Sequence, residues 1–294
     1  MFEQLGLIGC GLMGGSFALA LKQAGLVQRV VGYSKSPSTT ERARQLGVID
    51  VEAPSALLAA AGADIVLLAV PVAATEATLR AIKHLITPQV LVMDVGSTKA
   101  DVVLAARNAL RDQFGSFVPA HPITGREVSG VEHAEADLYR GRQVILTPTE
   151  RTLTSQLRRA EALWTALGSR VSSMAPESHD AAFAAVSHLP HMLAFAMLGS
   201  IISQPNSDAL LALAGPGFRD FTRIAASDPK MWRDILRANK SEVLAQSQLF
   251  KQALQNLEDA MRADTDRPLE DLITLASDTR AHWRMGAQRG PKDA

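Results

Sequence analysis

An α/β domain built on a mostly parallel sheet, followed by an all-α domain, is the fold this sequence predicts, and three observations carry the expectation. A glycine-rich turn joins the first apolar strand to an alanine-rich helical stretch; strand-like and helical runs then alternate as far as Met174; beyond Ala175 the strand signal stops. Such alternation implies parallel strands with helices on both faces. The expected domains are 1–174 and 175–294.

The opening strand, Leu5-Gly6-Leu7-Ile8, runs into Gly9-Cys10-Gly11-Leu12-Met13-Gly14-Gly15 and then a helical stretch from Ser16 to Ala24. Glycines at that spacing, after a strand and before a helix, form the turn of a Rossmann-type dinucleotide-binding domain. Gly9 allows the tight turn, Gly11 lets the backbone approach a pyrophosphate, and Gly14 lets the helix pack close to its strand, with free N–H groups facing the anion. Leu12 and Met13 belong to the same cofactor-binding segment.

The second strand, Arg29-Val30-Val31-Gly32-Tyr33, ends at Ser34-Lys35-Ser36, and no Asp or Glu occurs between Gln4 and Thr40. A carboxylate there would bind the adenosine ribose of NAD. A lysine flanked by hydroxyls suits a ribose 2′-phosphate, so NADP is the expected cofactor, with NAD as the alternative. A solvated polar loop is the competing reading of Ser34, Lys35 and Ser36. The run Asp64–Val70 is strand-like, and Val70 and Pro71 complete the expected cofactor-binding set. Further strand-like runs are Val90–Val95, Phe117–Ala120, Val144–Leu146 and Arg170–Met174.

With 294 residues and 47% hydrophobic content the chain can bury a large core. Its 30 basic and 30 acidic residues balance, so no global field draws it to nucleic acid or an anionic membrane. Cys10 is the only cysteine, which excludes an intramolecular disulfide and a multi-cysteine metal site and leaves it as a small packing residue. The first residues lack a charged leader, and the longest apolar run, Met192–Ile202, is too short to span a bilayer. The expected location is cytoplasmic.

Pro176-Glu177-Ser178-His179-Asp180 reads as a helix start. Farther on, Asp228 can cap and Pro229 can occupy the first turn of a helix that continues to about Ala263, with Trp232, Ile235, Val243, Phe250, Leu254 and Leu257 on one stripe. Core packing accounts for such a stripe; a helix of that length in a small domain also suits a homodimer built through the C-terminal helices. Gln288–Ala294 reads as a frayed tail.

Three clusters fall where an open parallel sheet or its helical cover would present a ligand site. They are Asp94-Val95-Gly96-Ser97-Thr98-Lys99, His121-Pro122-Ile123-Thr124-Gly125-Arg126-Glu127, and a set that runs from Ser187-His188-Leu189-Pro190-His191 through Gly215–Ala225 to Asp228–Trp232. A histidine at a strand's carboxyl end can take a substrate proton while a hydroxyl on a neighbouring strand end orients it, although a lone histidine is more often structural. An Arg close to an Asp in a Gly-Pro loop suits a carboxylate receptor, or a simple tie between loop and helix.

Taken together, the glycine turn and these clusters resemble the prephenate and arogenate (cyclohexadienyl) dehydrogenases of tyrosine biosynthesis, from Gly9 to Trp232. The resemblance implies oxidative decarboxylation of prephenate or arogenate, to 4-hydroxyphenylpyruvate or tyrosine, with hydride transfer to a nicotinamide cofactor and no metal. It further implies that His121 accepts the substrate hydroxyl proton and Ser97 assists. His191 and Arg223 would hold carboxylates, Asp220 would support Arg223, and Trp232 would join the substrate-binding set. Arg126 stands where some family members have threonine, a second cation facing the substrate side chain that would favour a carboxylate and repel an ammonium group. Two other classes compete. β-Hydroxyacid dehydrogenases rely on a lysine in the first helix of the second domain, yet no lysine occurs between Lys99 and Lys230. A dinucleotide-sensing regulator would not need Ser97, His121, His191 and Arg223 together.

Overall fold

The computed structural model describes residues 2–125 and 128–284. Arg126, Glu127 and the tail from Gln288 lie outside the described residues. Strands β1 (Phe2–Ile8), β2 (Val27–Tyr33), β3 (Val51–Glu52), β4 (Ile65–Leu68), β5 (Leu91–Asp94) and β6 (Phe117–Val118) form a parallel sheet in the order β3-β2-β1-β4-β5-β6. The strand order reverses between β1 and β4, which is where an open sheet of this kind leaves a crevice at its carboxyl ends.

Helices α1 (Leu12–Gln23), α2 (Pro37–Gln45), α3 (Ala56–Ala60), α4 (Thr75–Ile82), α5 (Ala100–Leu110) and α6 (Thr154–Ala166) follow the strands. Alternate side chains of the sheet feed two cores. Leu5, Leu7, Val30 and Leu67 pack with Phe17, Leu21, Tyr139 and Trp164, whereas Ile8, Val31, Val66 and Leu68 pack with Leu79, Ile82, Val102 and Phe114. Burial of this kind, worth ~1.5–3 kcal/mol for each large apolar side chain, holds the strand ends rigid.

The run expected as one strand over Phe117–Ala120 divides at Pro119. Residues Ala120–Pro122 form β7, which leaves the main sheet and joins β8 (Gln143–Leu146) and β9 (Arg170–Ser173) in a second, three-stranded sheet. Proline has no N–H to extend the β6 ladder. His121 consequently sits opposite Ile145 in the middle of antiparallel β7, not at the carboxyl end of a main-sheet strand.

Helix α7 (Pro176–Phe183) begins where the sequence predicts, and a π-turn over Ala184–His188 carries it into α8 (Leu189–Ile202). The joined rod, Pro176–Ile202, is long and apolar enough by length and composition to cross a membrane. The shorter apolar run read from the sequence did not include its first half, where His179, Asp180 and His188 are buried. After α9 (Ser207–Ala212) and α10 (Pro216–Thr222), α11 (Pro229–Ala238) starts on Asp228, whose carboxylate accepts the Met231 N–H at 2.7 Å.

The single helix expected from Asp228 to about Ala263 is two helices, α11 and α12 (Lys240–Arg262), broken at Asn239. Asn239 leaves helical geometry at φ −104°, ψ 32°, and its amide nitrogen donates 2.7 Å to the Asp180 carbonyl while lying 3.1 Å from His188 Nδ1. The apolar stripe divides likewise: Trp232, Ile235 and Val243 are buried, but Phe250, Leu254 and Leu257 are exposed.

Two compact units result, Met1–Lys240 and Ser241–Ala294. The first includes α7 to α11 because Asp180 and Asn239 tie them to one another and to the loop after β5. The second contains the rest of α12 and α13 (Arg267–His282), with Leu249, Met261, Ile273 and Leu275 exposed.

Candidate active site

The glycine turn is built as its residues require. Gly9 sits at φ +101°, and a Cβ there would lie 2.2 Å from the Ala69 carbonyl oxygen. A Cβ on Gly14 would lie 2.1 Å from the Gly9 carbonyl oxygen, so α1 approaches β1 as closely as a glycine allows. Gly11 differs: a Cβ there meets nothing within 4 Å, and it stands at the N-terminus of α1 with no side-chain cap. The first-turn amides of α1, among them Leu12 and Met13, have no side-chain cap. Val70 and Pro71 follow β4, the strand next to β1, on the same edge of the crevice.

Past β2, the Ser34 hydroxyl accepts the Cys10 N–H at 2.8 Å, which ties the glycine turn to this loop. Ser36 and Ser38 hydroxyls bond each other at 2.8 Å, and Lys35 is exposed. Cys10 itself is fully buried, and burial pushes its thiol pKa up to about 11, so it is the inert packing residue expected.

A second group of polar residues gathers at the end of β5 from four separate parts of the chain. Asp94 receives the fully buried Lys99 ammonium, the Gly96 N–H at 2.8 Å and the Ala120 N–H at 3.1 Å, while Lys99 also donates 2.8 Å to the Ala120 carbonyl. That knot fixes the start of β7 and so the position of His121. From the other side, Asp180 on α7 accepts the N–H groups of Lys99 and Ala100 at 2.8 and 2.9 Å, closing the N-terminus of α5. His179 Nδ1 lies 2.8 Å from Asp180 Oδ1, and His179 Nε2 lies 2.8 Å from His121 Nδ1. The partner of the His121 ring at Nδ1 is therefore His179.

Burial, followed by the nearby His179, Lys99 and His188, pushes the His121 pKa well below the ordinary imidazole value. Burial also lowers His179, against the opposing hydrogen bond to Asp180. For Asp180 burial works upward, but the His179 and backbone hydrogen bonds outweigh it and the carboxyl stays below its usual range. His188 is lowered by burial to about 4 despite Asp180, which works against that shift. At neutral pH the cluster therefore holds neutral imidazoles beside an ionised carboxylate.

On the substrate side, His191 stacks on Trp232 with ring centroids 3.6 Å apart and 20° between planes, and its Nδ1 lies 2.9 Å from the Ser187 carbonyl. Trp232 is itself buried. Asp220, expected to support Arg223, accepts from Arg219 Nε at 3.2 Å, and both lie exposed on α10. Arg223 follows on an exposed 3₁₀ turn over Arg223–Ala226. Arg126 lies outside the described residues.

The residues that sequence reasoning left without a role of their own are Asp180, Asn239, Asp94 and Lys99. The adjacent His179-Asp180 pair, one turn into a predicted helix, was a usable signal. Asn239 carried none, because nothing local distinguishes a helix break that serves a long-range hydrogen bond. Among the described residues no His, Cys, Asp and Glu group is arranged to hold a metal.

Two family models match: "Prephenate dehydrogenase, nucleotide-binding domain" over residues 17–173 and "Prephenate dehydrogenase, dimerization domain" over residues 175–275. A prephenate dehydrogenase of Bacillus subtilis is 37% identical over 83% of this chain and 66% of its own. A cyclohexadienyl dehydrogenase of Zymomonas mobilis is 33% identical over 92% of each chain. Among solved structures, the prephenate dehydrogenase of Aquifex aeolicus in complex with hydroxyphenyl propionate and NAD+ superposes with a TM-score of 0.89 at 37% identity, covering 96% of this chain and 98% of that one.

Proposed function

The chain belongs to the prephenate dehydrogenase family, and from that premise we infer that it catalyses the oxidative decarboxylation of prephenate, arogenate or both in tyrosine biosynthesis. The residues fit a nicotinamide dinucleotide: open space over Gly11, an uncapped helix N-terminus and a close-packed Gly9–Gly14 turn. Gly9, Gly11, Leu12, Met13 and Gly14 would hold its pyrophosphate, Ser34, Lys35 and Ser36 its adenosine ribose, and Val70 and Pro71 the adjoining edge. When bound, it supplies the hydride acceptor.

The chain's own work is to remove a proton and hold a dianion in place. His121 takes the proton of the ring hydroxyl, which lets a hydride depart from the same carbon, and loss of the ring carboxylate as carbon dioxide leaves an aromatic ring. The observation that carries this reading is His121 itself, a half-buried imidazole kept neutral at pH 7 and fixed in orientation beside the loop that holds Ser97. Ser97 assists from that loop. Arg223 and His191 receive the two carboxylates, with Trp232 backing the His191 ring. Arg126 adds a cation that favours prephenate over arogenate.

The C-terminal match is to a dimerization domain, and α12 exposes Leu249, Leu254 and Leu257, so a homodimer through the C-terminal helices is the assembly we assign. Its partners are small molecules and a second copy, and its location is cytoplasmic. The deciding experiment measures reduced-nicotinamide absorbance with prephenate and arogenate, each against NAD and NADP. Turnover of prephenate with NADP at the highest kcat/KM is expected. No turnover in any of the four combinations overturns the reading.

A further inference from the structure

We propose that His179 and Asp180 are positioning residues that set the tautomer of His121 and hold it ready to accept a proton at Nε2. The proposal rests on the catalytic role of His121 inferred above and adds two residues to it.

Asp180, when ionised, can only accept hydrogen bonds and has no proton to donate. It accepts two backbone N–H bonds at the head of α5, from Lys99 and Ala100, which fix its plane and keep it charged. Facing it at 2.8 Å, His179 Nδ1 must be the protonated nitrogen. In a neutral ring the other nitrogen, Nε2, is then a bare acceptor, and it lies 2.8 Å from His121 Nδ1. His121 must donate from Nδ1, so its own lone pair is placed on Nε2. One carboxylate two rings away thus dictates which nitrogen of His121 is basic.

Proton balance is simple. The substrate O–H proton moves to His121 Nε2, the Nδ1–H stays bonded to His179, and the new imidazolium is stabilised through His179 by the Asp180 charge. No second proton need move. The charged and titratable groups facing this chain are Asp94 at the end of β5, Lys99 in the loop after it, Asp101 in the first turn of α5 and His188 from the π-turn; Lys99 is already paired with Asp94. Phe183 closes the site, stacked on His179 at 4.4 Å with 19° between rings and 4.9 Å from His121, which keeps water from competing for the Nδ1 bond.

The test reads the tautomer first and activity second. Nitrogen-15 NMR of the ring nitrogens in the unmodified full chain should show His121 with a protonated Nδ1 and a bare Nε2; the reverse tautomer overturns the proposal. Asp180→Asn removes the charge and replaces one carboxylate oxygen by an N–H; with that N–H at the Oδ1 position, which faces His179 Nδ1 and also the Lys99 N–H, both tautomers should reverse at the cost of the Lys99 amide bond. The expected result is a bare His121 Nδ1, a kcat lowered at least 10²-fold and substrate KM changed less than threefold. A merely structural Asp180 would move stability and leave tautomer and kcat in place, and that outcome overturns it. Should Asp180→Asn not fold, the tautomer of the unmodified chain decides alone. Absence of activity in the unmodified chain with the expected tautomer counts against the function assigned above, not against the relay.

Discussion

The glycine turn and the histidine cluster lie in the same compact unit yet are built in opposite ways. The turn is local: Gly9, Gly11 and Gly14 meet their constraints within a strand, a loop and a helix that are contiguous in the chain, plus Ala69 from the neighbouring strand. The cluster is assembled from Asp94 and Lys99, His121, His179 and Asp180, and Asn239, which are brought together only by the folded sheet and α7. A local site survives reading from sequence because its geometry is set by spacing. An assembled site does not, because its hydrogen bonds span up to 81 positions.

If the assembled cluster is where chemistry occurs, its largest effect belongs to His121. His121→Asn should keep the fold and cofactor binding while lowering kcat by roughly 10²–10⁴-fold, the contribution of a positioned general base. The pKa of His121 is held well below the ordinary imidazole value, so the base is deprotonated at pH 7 and the acid limb of kcat/KM should fall below pH 6.5. The variant should lose that limb. A kcat within a few-fold of the unmodified enzyme would move the chemistry elsewhere.

What was legible in the sequence divides along the same line. The parallel sheet, the helix start at Pro176 and the cap at Asp228 all follow from signals within a few residues, and each is present. The departure of β7 from the sheet and the break at Asn239 are not local. Pro119 marks the first only in hindsight, since the run around it is apolar enough to continue a strand. Asn239 sits in good helical sequence and yields to two long-range hydrogen bonds.

The assembled cluster should also be the acid-sensitive part of the molecule. His188 has a folded pKa of about 4 against an ordinary 6.5, so between those values the unfolded chain binds a proton that the folded one refuses. Stability is then full above pH 6.5 and falls as pH drops toward 4, by about 3 kcal/mol for this group at roughly 1.4 kcal/mol per unit. His121 and His179 are shifted in the same direction and steepen the loss. Urea midpoints measured from pH 7 to 4 check this, and a flat profile would mean that the imidazoles are not buried as neutral groups.

On the side of the local site, cofactor choice sharpens the comparison. Lys35 is exposed at the end of β2, where no carboxylate stands. Lys35→Ala should raise KM for NADP by about 1.5–3 kcal/mol of lost charge-assisted contact and leave KM for NAD nearly unchanged. Equal use of both cofactors by the unmodified enzyme would make the loop an ordinary solvated one.

The smallest effect separates a glycine needed by the fold from one needed by the ligand. Gly14 cannot take a Cβ without striking the Gly9 carbonyl at 2.1 Å, so its substitution would confound folding with binding. Gly11 has φ −84° and ψ −161°, a conformation open to any residue, and nothing within 4 Å of the added atom. Gly11→Ala should therefore leave thermal stability unchanged or raise it by about 0.4–1 kcal/mol through a stiffer unfolded chain. The methyl group would nonetheless stand where a pyrophosphate must reach the first-turn amides of α1, so cofactor affinity should fall by about 1 kcal/mol, roughly fivefold. Fluorescence titration with the reduced cofactor beside a melting curve reads both numbers on one sample. Unchanged affinity would place the pyrophosphate away from Gly11, and lost stability would mean that this glycine, like Gly14, serves the packing of the turn.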